Sequence, residues 1–131
     1  AAVDEAMSAA LRTYDVARIV CDPHEWRAQL ADWTDRGWPV VEWPNVLGNT
    51  VPAWKEFYAA VMERRLTHDG DPAMARHVAN AVLKVDHRGA RPTKEYGSST
   101  RKIDRLIAAM MAFDQARRPV VDAVPVWGFT L

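Results

Sequence analysis

The stretch VARIVCDPHEW, residues 16–26, decides the fold class because it predicts the end of a strand and the start of a helix. Residues 16–21 form a short apolar and β-branched run, which is typical of a buried strand. Asp22 and Pro23 end this run, and proline is favoured at the first position of a helix. We therefore expect a strand that leads into a helix ending near Gly37.

The flanking sequence alternates between helical and extended patterns. Apolar residues at helical spacing predict a first helix from Val3 to Tyr14. The further expectations are a strand at residues 40–43, a loop at 44–49, helices opened by Pro52 and Pro72, a loop or irregular hairpin at 86–100, and a helix with an apolar stripe from Ile103 to Met111. This alternation predicts an α/β fold. Two short strands are few for an open sheet, so we also expect further strands upstream of Ala1.

Length and composition predict one ordinary globular domain. The chain has 131 residues, of which 49% are hydrophobic and 26% charged. We expect a single domain over residues 1–131, with 119–131 as an extended tail. The one cysteine, Cys21, excludes an internal disulfide and favours a reducing compartment. The longest apolar run, residues 107–113, is too short to span a membrane and no signal peptide is visible, so we expect a cytoplasmic protein.

Charge is unevenly distributed along the chain. The 17 basic and 17 acidic side chains cancel, which excludes a global basic field for nucleic acid. Residues 84–105 nevertheless carry seven basic and three acidic side chains, a net charge of +4. A local basic segment can bind phosphate, although a solvated loop would show the same pattern.

Asp22 and Asp104 are the candidate catalytic and metal-binding residues. Asp22 follows the predicted strand, and ligands gather at the carboxyl edge of open α/β sheets, but Asp22 could equally cap the second helix. Asp104 lies in the first turn of the last helix, where it could instead complement the helix N-terminus. Two aspartates on different elements can bind Mg²⁺ or Mn²⁺ together with water. A two-metal site usually needs more than two carboxylates. Glu42 and Asp86 are available as further ones, although each is more often a solvated charge.

Other common sites are not signalled. His24, His68, His77 and His87 lack the spacing of a zinc site, and Cys21 has no CxxC partner. The sequence also lacks a glycine-rich nucleotide loop. Zinc and nucleotide chemistry are therefore poorly supported.

Several motifs together resemble the nuclease domain of phage terminase large subunits, the motors that package and cut viral DNA. In the family's order, they are Cys21-Asp22-Pro23 before a tryptophan-containing helix, LTHDGDP at 66–72, Asn80, Lys94, and Lys102-Ile103-Asp104 at the start of the last helix. The resemblance covers roughly residues 3–115.

The resemblance implies a ribonuclease H-like fold, with a central sheet flanked by helices. It also implies cleavage of double-stranded DNA with two divalent ions, Mg²⁺ or Mn²⁺, during genome packaging. Asp22 and Asp104 would be the metal ligands. The residues near DNA would be Lys94, Lys102, Arg88 and Arg91, and those supporting the site would be Asn80 and His77. The implied partners are the terminase small subunit and the portal, in the cytoplasm of a bacterium that carries the phage or prophage.

The family's first catalytic aspartate lies on a first strand, and nothing before Asp22 resembles that strand. The chain therefore resembles the C-terminal part of the nuclease domain, with an incomplete central sheet. We expect weak metal binding, little or no cleavage by this chain alone, and self-association or pairing with the missing segment through an open strand edge. The alternatives are a non-catalytic α/β binding module, in which both aspartates are caps, and another ribonuclease H-like nuclease or resolvase.

Overall fold

The computed structural model describes residues 2–119, which form five helices and four strands. In chain order, the elements are α1 (Ala2–Thr13), β1 (Ile19–Cys21), α2 (Pro23–Asp35), β2 (Val40–Glu42), α3 (Leu47–Met62), α4 (Pro72–Asn80), β3 (Val82–Asp86), β4 (Gly89–Thr93) and α5 (Asp104–Ala116). The expected α/β class is confirmed. The expected tail falls almost wholly on residues 120–131, which lie outside the described residues. No helix within the described part of the chain is long and apolar enough to cross a membrane.

The first sheet is a parallel pair that brings two strand ends to one edge. β1 pairs with β2 in a register that sets Cys21 opposite Glu42, and α2 connects the two strands. The amide of Trp43 extends the ladder by donating to the carbonyl of Cys21 at 2.8 Å. Because the strands are parallel, Asp22 and Glu42 both lie at their carboxyl ends, which is where ligands of such sheets collect.

The second sheet is an antiparallel hairpin of β3 and β4, whose ladder runs from Val82 opposite Thr93 to Asp86 opposite Gly89. Gly89 has φ +114°, a conformation that side chains disfavour. A Cβ at Gly89 would also lie 2.4 Å from Cγ1 of Val51 on α3. The turn thus approaches α3 more closely than any other residue type would allow.

The core lies where α3 and α5 pack against the first sheet. Trp43, Ala53, Met110 and Met111 form a buried cluster. Asp114 of α5 is 9% exposed and accepts a hydrogen bond from the indole N–H of Trp43 at 2.9 Å, so a polar contact fixes α5 to the residue after β2. Of the tryptophans on α2 and α3, Trp33 is fully buried, whereas Trp26 and Trp54 are half-buried.

The structure corrects two of the expected elements. α3 begins at Leu47 rather than at Pro52, so the end of the expected loop at 44–49 is helical. Side-chain hydrogen bonds from Asn49 to the carbonyl of Pro44 and from Thr50 to Asn45 start this helix early. The expected irregular hairpin is a regular ladder that begins at Val82, because its turn is stabilised by packing on α3.

Candidate active site

A cleft of about 1470 Å³ opens where the strand ends meet the start of α5. The carboxyl ends of β1, β2 and β4 and the first turn of α5 line one part of the cleft, while α1 and α2 line the other. Four carboxylates belong to its lining, those of Asp22, Glu25, Glu42 and Asp104. Carboxylates separated by up to 82 positions in the sequence thus share one concave surface.

Asp22 lies at the mouth of the cleft and also caps a helix. It is half-buried, has extended backbone angles, and accepts the amide N–H of His24 at 3.1 Å, which satisfies one open donor at the start of α2. This hydrogen bond uses Oδ1, and a carboxylate has further lone pairs that can accept from or bind other groups. Both interpretations of Asp22, the cap and the cleft carboxylate, are therefore compatible in one side chain.

Asp104 is exposed in the first turn of α5, where the helix dipole favours a negative charge. Residues close to Asp104 in sequence form hydrogen bonds with side chains of α4. Nδ1 of His77 accepts the amide N–H of Arg105 at 2.9 Å, and the side-chain amide of Asn80 donates to the carbonyl of Lys102 at 3.0 Å. His77 and Asn80 do not line the cleft themselves, so any support that they give to the site acts through the start of α5.

The basic residues divide into two groups. Lys94 and Arg91 line the cleft, whereas Lys102 is exposed on the loop before α5 and Arg88 lies in the hairpin turn. Both arginines bind Asp86, Arg91 at 3.1 Å and Arg88 at 3.0 Å. These hydrogen bonds, the one from Arg91 above all, hold the pKa of Asp86 well below its usual range. Of these four basic residues, Lys94 is therefore the one that lines the cleft without binding Asp86. Asp86 is an ion-pair residue of the hairpin.

Cys21 is half-buried beside the cleft, and burial raises the pKa of its thiol. A thiol with a raised pKa is a poor nucleophile and a poor metal ligand at neutral pH. Cys21 is therefore a poor candidate for either role.

The side chains of the cleft offer the type of ligand atom that a hard divalent cation binds. Carboxylate oxygens are the ligands that Mg²⁺ and Mn²⁺ prefer, and Mg²⁺ commonly takes one or two protein carboxylates with water in the remaining positions. Within residues 2–119, however, no group of three histidine, cysteine, aspartate or glutamate residues is close enough to hold a metal ion. The described residues thus fit one water-rich ion better than a complete two-metal centre.

Sequence reasoning missed the long-range contacts of three residues that fix this geometry. The guanidinium of Arg18 donates to the carbonyls of Gln115 and Pro119 at the end of α5, at 2.7 and 2.6 Å. Arg105 forms an ion pair with Asp71, the residue that caps α4. Only the cap was signalled by the sequence, through the Asp-Pro pair, because the other partners are 34 or more residues apart.

Comparisons with known proteins bear on the fold and the family. The crystal structure of the large terminase of bacteriophage HK97 is similar to this chain, with a TM-score of 0.69 and 21% sequence identity over 83% of this chain and 23% of that chain. At this identity the likeness shows the fold, which is that of a ribonuclease H-like terminase nuclease domain. No curated protein matches the chain. The model of the terminase large subunit endonuclease domain matches residues 2–119. Since this region takes in most of the chain, the protein belongs to the family of terminase large subunit endonuclease domains.

Proposed function

We propose that this chain is the part of a phage terminase large subunit that contributes Asp22 and Asp104 to a metal-dependent nuclease site for double-stranded DNA. The observation that carries the proposal is the shared cleft, which collects Asp22, Glu42, Asp104 and Lys94 from four different elements. Members of the family are generally dependent on divalent metal ions. The setting would be genome packaging in the cytoplasm of a bacterial host, with a phage or prophage as the source.

Each residue of the cleft has a distinct role in this proposal. Asp22 and Asp104 would hold Mg²⁺ or Mn²⁺, and Glu42 lines the same cleft at the end of the neighbouring strand. Bound divalent ions supply activation of water and stabilisation of charge on the cleaved phosphate. Lys94 would contact the phosphate backbone at the cleft, and Lys102 would extend this contact, which gives largely sequence-independent and salt-sensitive binding. Arg88 and Arg91 would contribute less, because both already bind Asp86.

The first aspartate of the family would complete the site. Within residues 2–119, β1 pairs only with β2, so the other edge of β1 offers backbone groups to a further strand. We propose that a strand from elsewhere in the terminase polypeptide pairs there and brings the first aspartate of the family beside Asp22. Self-association through the same edge would be the substitute when that strand is missing. The small subunit and the portal would bind other parts of the terminase.

Conversion of supercoiled plasmid in Mn²⁺ tests the nuclease role. The wild-type chain, Asp104→Asn and Asp22→Asn are compared, with a chelator as the metal control. Asp15→Asn is the matched variant, because Asp15 is an exposed aspartate outside the cleft. Binding of Mn²⁺ to the same four proteins is measured in parallel.

The proposal predicts that Mn²⁺ binding is weakened by Asp104→Asn and Asp22→Asn but not by Asp15→Asn. Chelator-sensitive cleavage that Asp104→Asn abolishes would mean that the described carboxylates suffice without an aspartate from a further strand. Absence of cleavage together with site-specific Mn²⁺ binding fits the incomplete site. Mn²⁺ binding that neither cleft substitution changes would contradict the metal role and favour a non-catalytic binding module, in which Asp22 acts only as the cap that it visibly is.

A further inference from the structure

The N-terminus of α5 is capped by a side chain from another helix. Its N-cap residue is Ile103, whose own side chain has no acceptor and forms no cap hydrogen bond. The first N–H groups of a helix need partners that the helix itself cannot supply. The imidazole of His77 supplies one, because its Nδ1 accepts the amide N–H of Arg105 across 28 positions of sequence.

The same helix, α4, fixes the residues on both sides of Asp104. Asn80 holds the carbonyl of Lys102, and Asp71 forms an ion pair with the side chain of Arg105. Asp71 is itself fixed, since its other carboxylate oxygen accepts the amide N–H of Ala73 at 3.0 Å. Two side chains of α4 thus bind the backbone two residues before Asp104 and one residue after it, and the cap residue Asp71 binds the side chain of Arg105.

We infer that His77 is a positioning residue, which orients the Asp104 carboxylate towards the cleft by capping α5 in the form of a neutral imidazole protonated at Nε2. This inference rests on the proposed role of Asp104 as a metal ligand. An Nδ1 atom that accepts from an amide N–H must carry a lone pair, so the ring proton lies on Nε2. A site whose carboxylate is held loosely would bind the metal ion less tightly, because the ion requires its oxygen ligands in a defined geometry.

The inference separates the acceptor atom of His77 from its bulk. In His77→Asn, the side-chain Oδ1 stands at the same number of bonds from the backbone as Nδ1 and can accept the same N–H. In His77→Leu, most of the side-chain volume remains but the acceptor is gone. His87→Leu is the matched control, because His87 is exposed in the hairpin turn and its loss leaves α5 untouched.

The test combines amide hydrogen exchange at Arg105 with Mn²⁺ titration of the 131-residue chain. Protection of the Arg105 amide should fall about 5- to 10-fold in His77→Leu, as for other lost helix caps. Affinity for Mn²⁺ should weaken by a similar factor. His77→Asn and His87→Leu should both stay within about twofold of the wild type in both measurements.

The two readouts distinguish failure of this inference from failure of the proposed function. Unchanged Arg105 protection in a folded His77→Leu chain would overturn the cap. If His77→Asn lost as much protection at Arg105 as His77→Leu, the role of the acceptor atom would be overturned. If His77→Leu does not fold, the protection of Arg105 in His77→Asn alone decides whether the acceptor atom matters. Loss of protection without a change in Mn²⁺ affinity would leave the cap intact and overturn the positioning role, while Asp104→Asn reports separately whether Asp104 binds the ion.

Discussion

α5 and α1 line the same cleft, but the protein holds them in different ways. α5 buries Leu106, Met110, Met111 and Asp114, and side chains from elsewhere in the fold bind both of its ends. α1 has an amphipathic sequence and yet buries no residue fully. Its polar attachment is Asp4, which accepts from the indole of Trp33 at 2.6 Å and lies 3.8 Å from Arg36. α5, which carries the candidate ligand Asp104, is therefore firmly fixed, whereas α1 is only lightly attached.

The difference in burial predicts the largest effect. Met110 is fully buried, so Met110→Ala should lower the free energy of unfolding by about 2–5 kcal/mol through lost burial and a residual cavity. Met7→Ala in the half-buried stripe of α1 should cost less than about 1 kcal/mol. Urea unfolding of both variants measures the contrast. Equal losses would mean that α1 is as much a part of the core as α5.

Two matched tryptophan–aspartate hydrogen bonds sharpen the comparison. Asp114→Ala leaves the buried indole N–H of Trp43 without its partner and should cost about 1–3 kcal/mol. Asp4→Ala breaks the partly buried bond to Trp33 and should cost about 1 kcal/mol or less. Hydrogen exchange should then rise across α1 alone in Asp4→Ala. A rise that extends into α5 would show that the two helices open as one unit.

The C-terminal end of α5 predicts a smaller effect. Arg18→Met keeps most of the apolar stem but removes the guanidinium from the carbonyl of Gln115 in the last turn of the helix and from that of Pro119 just beyond it. We expect a loss of about 1 kcal/mol, because a cation at a helix C-terminus satisfies carbonyls and interacts favourably with the dipole. Faster amide exchange should be confined to the last turn of α5. Exchange identical to that of the wild type would mean that Trp43 and Asp114 suffice to hold this end.

The hairpin predicts the smallest effect, and one that depends on pH. Arg91 and Arg88 lower the pKa of Asp86 in the folded chain, so the folded state binds this proton less tightly than the unfolded state. The stabilisation is complete above the ordinary aspartate pKa of about 3.9 and is lost as the pH falls below it. Between neutral pH and about pH 3, the urea midpoint of the wild type should therefore fall further than that of Asp86→Asn. Parallel pH profiles for the two proteins would contradict a stabilising role of the ion pairs.

The local elements were largely predictable because their signals are local. The run before Asp22 ends a strand, Pro23 and Pro72 open helices, and the stripe from Ile103 marks α5, as the sequence indicates. The early start of α3 and the regular hairpin were not predictable, because the first depends on side-chain hydrogen bonds and the second on contact with Val51. The candidate site follows the same division. Asp22 and Asp104 could be chosen from motif and position, and their roles as metal ligands stay predictions.

The sequence by itself determined the class of fold and the identity of the candidate carboxylates, because strand, cap and helix signals act over a few neighbouring residues. The order of its motifs also indicated the family, through their resemblance to terminase nuclease domains. Tertiary structure alone decided which of those carboxylates share a cleft and what holds them there. Asp86 shows this most directly. From the sequence it was available as a further metal ligand, but in the structure it forms an ion pair with Arg91. Such contacts depend on how helices and strands pack, and packing joins residues whose separation in the chain leaves no local pattern.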